Sequence, residues 1–126
     1  MLARLPELPK ISPFDAVRLF DPDGEEFWSA RDLMTLFGYP DWQSFNRVLL
    51  KAQKACERSG HILKDHFMMG SKHVVLKNGA KRWLIDVHLT RYACYLVAQN
   101  GHPSKPMVAK AQSYIAIQTM RSQVAR

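Results

Sequence analysis

The middle of the chain combines a strand–turn–strand pattern with a helical pattern directly behind it. Two apolar-rich runs, 73–76 and 83–85, flank Asn78-Gly79. Asn-Gly tolerates the positive φ angles of a two-residue type I′ turn, so the pattern predicts a β-hairpin. The apolar positions that follow recur at helical spacing and stop at Asn100-Gly101, which favours a left-handed helix end; they are Leu89, Tyr92, Ala93, Leu96 and Val97.

An earlier hairpin is predicted near the N-terminus. Residues Phe14–Phe20 alternate in polarity, and Glu25–Trp28 forms the expected partner strand. The turn between them, Asp21-Pro22-Asp23-Gly24, places proline where φ is preset and glycine where a positive φ is needed. Residues 1–13 contain three prolines and little periodicity, which predicts an extended arm before a single domain over residues 14–126.

Two helices are predicted between the hairpins. Ser29 is expected to cap a short helix over Ala30–Phe37, with Asp32 reaching back in a capping box. Asp41 is expected to cap a longer helix from Trp42 to about Ser59, whose apolar residues repeat at intervals of three and four.

The rest of the chain adds a loop and a final helix. Residues 61–71 have no clear period and are predicted to form a loop, with room for one helical turn. A last helix enters through Pro106 and runs to about Val124, with apolar residues on more than one side. Such a helix is either buried centrally or shared with a second subunit, and the pattern favours a homodimer through it. Together these elements predict an α+β, winged-helix-like domain with two β-hairpins and about four helices.

The charge of the chain is divided unevenly along its length. Over the 126 residues the net charge is +7, yet residues 1–46 hold four Lys/Arg against eight Asp/Glu. Residues 47–126 hold fourteen Lys/Arg against three Asp/Glu, a net charge of +11. A basic surface of this size indicates a polyanionic partner, and nucleic acid is the favoured class. The alternative is a solvated basic surface that serves solubility.

Two groups of cations are the candidate DNA-binding residues. The first follows one face of the long helix, where like charges repel one another unless a phosphate backbone lies alongside, although a solvated face is the alternative. It comprises Arg47, Lys51, Lys54 and Arg58. The second lies on the central hairpin and comprises Lys72, Lys77, Lys81 and Arg82. A basic helix and a basic hairpin are the two parts of a winged-helix-like module, and their phosphate contacts are independent of base sequence.

Three aromatic residues near the hairpin have two interpretations. Trp83, Tyr92 and Tyr95 can stack on the bases of a single strand. At this spacing such residues are more often part of a core, and that interpretation is favoured.

Motifs of catalysis and metal binding are missing from the sequence. It contains no G-x-S-x-G, no Gly-rich phosphate loop and no H-E-x-x-H, and its acids after Asp41 are too sparse for a two-metal nuclease. We therefore expect no enzyme, no metal and no cofactor. Cys56 and Cys94 fall in helical patterns as expected core residues, which favours a cytoplasmic setting. No membrane span or signal peptide is predicted.

Longer stretches of the chain resemble a known family. The run Trp28 to Met34, WSARDLM, and the run Arg91 to Leu96, RYACYL, are the most specific parts of a similarity that extends from about Ser12 to Thr119. These stretches closely resemble the DNA damage-inducible protein D family and, more distantly, the Bro-N domains of phage antirepressors and baculovirus proteins. Members of that family usually continue well beyond this module.

The resemblance implies a DNA-binding α+β domain of phage-like ancestry, without catalytic residues. It also implies a role in the bacterial damage (SOS) response, where the family is associated with restraining recombinase filaments. The sequence thus predicts a non-enzymatic DNA-binding module, with the strand form of the DNA left open. The alternative is a protein-interaction module, antirepressor-like or recombinase-binding, whose acidic N-terminal hairpin contacts a protein partner while the basic surface is incidental.

Overall fold

The structure, a computed structural model, describes residues 12–124 and confirms the predicted α+β class. A four-stranded antiparallel sheet has the order β1-β2-β4-β3. Its strands are β1 (Arg18–Phe20), β2 (Glu26–Ser29), β3 (Phe67–Val75) and β4 (Lys81–Leu89). A 3-10 helix (Pro13–Val17) precedes them, and the α-helices are α1 (Ala30–Leu36), α2 (Trp42–Arg58), α3 (Leu63–His66), α4 (Arg91–Gln99) and α5 (Pro106–Val124). The described part therefore has five α-helices, of which α3 is a single turn within the segment predicted to be a loop with room for one helical turn.

The first hairpin is shorter than its alternating pattern predicted. The strand expected over Phe14–Phe20 begins only at Arg18, because the preceding residues form the 3-10 helix. Ser12 caps that helix by accepting a hydrogen bond from the Phe14 amide (3.2 Å), and the buried indole of Trp28 donates to the Phe14 carbonyl (2.8 Å). The Phe14 ring is buried as a consequence. Of the predicted arm, residues 1–11 lie outside the described residues, whereas Ser12 and Pro13 are buried in the domain.

The predicted helix starts are confirmed, with one correction. Ser29 accepts a hydrogen bond from the Asp32 amide (3.3 Å), and Asp41 accepts one from the Ser44 amide (2.8 Å). The capping box does not close, however, because the Asp32 carboxylate forms an ion pair with Lys72 on β3. The local pattern thus identified the cap but not the long-range partner of its acid.

The core lies where α1, α2, α4 and α5 pack together against one end of the sheet. Its largest fully buried side chains include Trp28, Phe14, Phe37, Phe45, Leu33, Leu49, Leu89, Val97 and Val108. Cys56 and Cys94 are buried in it as free thiols, as predicted, and burial raises the pKa of both. Both thiols are therefore protonated at neutral pH and poor nucleophiles.

Helix α5 has the predicted bounds and buries three residues, Val108, Ala111 and Ile115. Val124 at its end is exposed. Dimerisation through this helix stays a prediction. Among the described residues, no helix has the length and apolar character needed to cross a membrane.

An ion pair joins the first hairpin to α4. Arg91 donates two hydrogen bonds to Glu26, from Nε to Oε2 and from Nη2 to Oε1, each 2.9 Å long. These bonds lower the pKa of Glu26 below its ordinary value of 4.5. A group with a depressed pKa in the folded state stabilises the fold above its unfolded pKa, and that contribution is lost as the pH falls through the folded pKa.

The variant Glu26→Gln should therefore lower the free energy of unfolding at pH 7 by about 1 kcal/mol, a modest amount because the pair is partly exposed. Below pH 4.5 the difference from wild type should shrink, since the wild-type carboxylate then becomes protonated. Urea denaturation at pH 7 and pH 3 measures both values. The neighbouring exposed Glu25→Gln is the matched control, and an equal loss in both variants would contradict a specific role for the pair.

Candidate nucleic-acid interface

The second hairpin, β3–β4, is the longest feature of the sheet and carries half of the predicted DNA-binding residues. Its register runs without interruption from Phe67 opposite Leu89 to Val75 opposite Lys81. Part of β3 therefore lies in the segment predicted to be a loop. Gly70 and Ser71 interrupt the apolar pattern there, and Gly70 is needed because a Cβ at this position would lie 2.6 Å from the His88 ring.

The turn of this hairpin is not the predicted two-residue type I′ turn. Leu76 and Ala80 are joined by a backbone hydrogen bond (2.8 Å), which leaves three residues in the loop. The Gly79 amide donates to the Leu76 carbonyl (2.9 Å), and only Gly79 has a positive φ, of 85°. This is a type I turn closed by a left-handed glycine. Asn78 keeps a right-handed conformation and accepts a hydrogen bond from the Ala80 amide (3.0 Å).

One side of the hairpin, the inner face, is covered by α1. Asp86 is 1% exposed there and accepts hydrogen bonds from the Arg31 amide (3.1 Å), the Val87 amide (2.8 Å) and the Ser29 hydroxyl. Lys72 shares this face and pairs with Asp32. Lys72, predicted to bind DNA, is therefore occupied by an intramolecular partner.

The opposite side of the hairpin is here called the outer face. It carries the odd-numbered residues of both strands, and its side chains are buried at one end of the hairpin and exposed at the other. Phe67, Val87 and Leu89 are buried at its base. Farther along the ladder Met69 is 76% exposed, Ile85 66% and Trp83 68%, and the His73 ring centroid lies 4.8 Å from that of Trp83. The favoured core interpretation is therefore wrong for Trp83, whereas the half-buried Tyr92 and Tyr95 do pack against the core.

The other three cations of this hairpin lie at or near its turn. Lys77 is in the loop, and Lys81 shares the outer face with Trp83. Arg82 lies on the inner face, opposite Val74 in the strand register. All three are exposed, and within residues 12–124 their side chains make no hydrogen bond or ion pair. No Asp or Glu occurs between His66 and Ile85. The hairpin tip is thus a positive surface, and the one carboxylate of its two strands, Asp86, is buried beneath α1.

The basic row of α2 points away from the core. Arg47, Lys51, Lys54 and Arg58 are all exposed, and the buried residues of α2 lie on its opposite side. Asp41 lies near Arg47, and its pKa is lowered mainly by the hydrogen bond from the Ser44 amide. Among the described elements α4 is the main packing partner of α2. The candidate DNA-binding cations thus form two groups, one on α2 and one on the β3–β4 hairpin.

Comparisons with known proteins agree with the resemblance noted from the sequence. The family described as BRO family, N-terminal domain, matches residues 16–116. The chain belongs to this family. It is also 49% identical over 113 residues to the DNA damage-inducible protein D of Escherichia coli (strain K12). That alignment covers 90% of this chain and 41% of the relative, and no solved structure matches significantly.

Histidine and carboxylate side chains do not form a metal centre in the described part of this BRO-family domain. No group of three His, Cys, Asp or Glu side chains is placed there to hold an ion. His66 instead shares a hydrogen bond with the Thr90 hydroxyl (2.7 Å), and its ring packs against Tyr92 with centroids 4.8 Å apart. These contacts explain His66 as a structural residue.

Sequence reasoning missed one feature of the BRO-family domain, the apolar outer face. A groove of about 490 Å³ begins beside it, lined by Gln53, Ile62, Leu63, Lys64, Phe67 and Met69. The signal was present in the alternation of Phe67 and Met69 on β3 with Trp83, Ile85 and Val87 on β4. The alternation says which residues share a face, but not where the helices stop covering that face.

Proposed function

We propose that this domain is a non-enzymatic DNA-binding module that acts in the DNA damage response. The observation that carries the proposal is the hairpin tip, where the side chains of Lys77, Lys81 and Arg82 are exposed without described partners. The one carboxylate of the two strands, Asp86, is buried. The link to DNA damage rests on the name of the relative from Escherichia coli and on membership of the BRO family.

Free cations suit phosphate contacts because no ion pair within the protein has to be broken first. Each lysine or arginine that neutralises a phosphate releases a condensed counterion, and this release gives affinity without base specificity. The α2 row, from Arg47 to Arg58, would add a second line of contacts in a winged-helix-like arrangement. Lys72 would contribute little, because Asp32 already neutralises its ammonium group.

The test is fluorescence anisotropy of labelled single-stranded and duplex DNA at about 50 and 200 mM salt, a range over which several phosphate contacts become visible. The proposal expects micromolar or tighter binding that weakens steeply with salt. Binding to neither form at the lower salt concentration would overturn it.

A second candidate function, docking of a protein partner, is favoured by a cleft beside the first hairpin. The cleft has a volume of about 560 Å³, an apolar wall that includes Phe20, Phe27 and Met68, and an acidic rim that includes Asp21 and Glu25. Apolar walls with an acidic rim suit a basic, partly apolar segment of a protein such as a recombinase or repressor. Under this alternative the basic surface is incidental, and Phe20→Ala would abolish capture of the partner while leaving DNA binding unchanged.

A further inference from the structure

We propose that the outer face of the second hairpin binds single-stranded nucleic acid by stacking a base on Trp83, with Lys81 and Lys77 beside the adjoining phosphates. The inference rests on the proposed DNA-binding function and goes further, because it names the strand form and the residue that distinguishes it.

The exposure of Trp83 is the first observation. Trp28 is fully buried and Trp42 is half-buried, whereas Trp83 is 68% exposed and stands among other exposed apolar side chains, Met69, Val75 and Ile85. Neighbouring exposed apolar side chains of this kind are one mark of an interaction site. The neighbouring His73 ring, 4.8 Å from that of Trp83, makes the aromatic surface wider than one indole.

The charge around Trp83 selects the class of ligand. Lys81 lies on the same face two residues from Trp83, a separation of about 7 Å along an antiparallel strand. A nucleotide whose base stacks on the indole can therefore place its phosphate next to an ammonium group. The only carboxylate of the two strands, Asp86, is buried, so the hairpin presents none to a basic partner. An aromatic surface beside cations is the arrangement used for unpaired nucleic acid.

The same geometry favours a single strand over a duplex. Bases in a duplex already stack on one another, so Trp83 would reach one only by opening a base step, which costs a few kcal/mol. An unpaired strand presents the flat surface of each base directly. The stacking contact is thus available to single strands and costly for duplexes, whereas the phosphate contacts are available to both.

The experiment measures anisotropy of a labelled deoxythymidine oligomer, which forms no hairpins, and of a duplex of mixed sequence. Trp83→Ala should weaken binding of the single strand by about 5- to 150-fold, the range expected for one stacked base. The salt slope should not change, because no phosphate contact is removed. Trp83→Phe should retain most of the affinity, and duplex affinity should remain within about twofold of wild type in both variants.

Ile85→Ala is the matched control, since Ile85 lies on the same face with similar exposure but has no ring. It should bind the single strand within about twofold of wild type. Equal losses in Trp83→Ala and Ile85→Ala would show a general apolar contact and overturn the stacking proposal. Wild-type affinity in Trp83→Ala would overturn it as well, while leaving the proposed DNA-binding function intact. Only a wild-type protein that binds neither DNA would reject both.

Intrinsic fluorescence gives a readout that does not depend on affinity. Because Trp83 is the most exposed of the three tryptophans, a base stacked on it should quench emission of the wild-type protein at saturation. Trp83→Phe should bind the oligomer with no comparable quenching. Equal quenching in both proteins would place the stacked base elsewhere and contradict the proposal.

Discussion

Replacing Lys77, Lys81 and Arg82 together by Glu should remove a large part of the salt-dependent DNA affinity of this domain. Loss of three phosphate contacts should flatten the slope of log affinity against log salt by roughly 2–3 units. The fall in affinity between 50 and 200 mM salt would then become smaller by a factor of roughly 15 to 65. All three side chains are exposed and lack described partners, so the fold should be unaffected.

Single variants control for the change in net charge. Lys81→Glu and Lys110→Glu alter the net charge equally, but Lys110 lies on the exposed side of α5, an element that packs against α4 and the 3-10 helix. Lys81→Glu should flatten the salt slope by about one unit, whereas Lys110→Glu should leave it nearly unchanged. A slope in the triple variant equal to that of wild type would show that the hairpin does not contact phosphate, and the α2 row would become the remaining candidate.

Removing the carboxylate of Asp86 should have the largest effect on stability. Asp86→Ala would leave the Arg31 amide, the Val87 amide and the Ser29 hydroxyl without their buried acceptor. A buried donor without a partner costs about 1–3 kcal/mol, so the free energy of unfolding should fall by about 3–5 kcal/mol once some water enters the site. That is a large share of the roughly 5–15 kcal/mol typical of a folded domain. Urea denaturation followed by circular dichroism measures the change.

Two further variants, Asp86→Asn and Asp65→Ala, separate the loss of a buried hydrogen-bond acceptor from the loss of a negative charge. Asp86→Asn keeps the volume and one acceptor oxygen, so its loss should be smaller than that of Asp86→Ala. Asp65 is exposed on α3, and removal of its carboxylate should change stability by less than about 1 kcal/mol. If Asp86→Ala unfolded at the same urea concentration as wild type, the junction between β4 and α1 would not depend on this carboxylate.

Features set by neighbouring residues could be predicted from the sequence. Ser29 and Asp41 cap the helices that their positions indicated, and α5 has its predicted bounds, because caps and helical periodicity depend on residues three or four apart. The predicted type of turn in the second hairpin was wrong for a local reason. Asn-Gly fits both a type I′ turn and a three-residue loop in which only the glycine is left-handed.

Features set by distant residues could not be predicted in this way. Phe14 was assigned to a strand because nothing nearby reveals the indole of Trp28, which holds its carbonyl from fourteen residues away. Lys72 and Asp32 lie forty residues apart, so their ion pair depends on how α1 packs against the second hairpin. The exposure of Trp83 likewise depends on where that packing ends. Composition therefore located the cations of the candidate site but not the aromatic surface beside them.

The order of the sheet bears on self-association. β3 is an edge strand of nine residues, and a long exposed edge can pair with the edge of another molecule and start aggregation. Two copies paired in parallel through β3 would bring their basic loops close together, and like charges would oppose that approach. The cations proposed to contact phosphate should therefore also keep free molecules apart, and neutralising them would remove a barrier to aggregation.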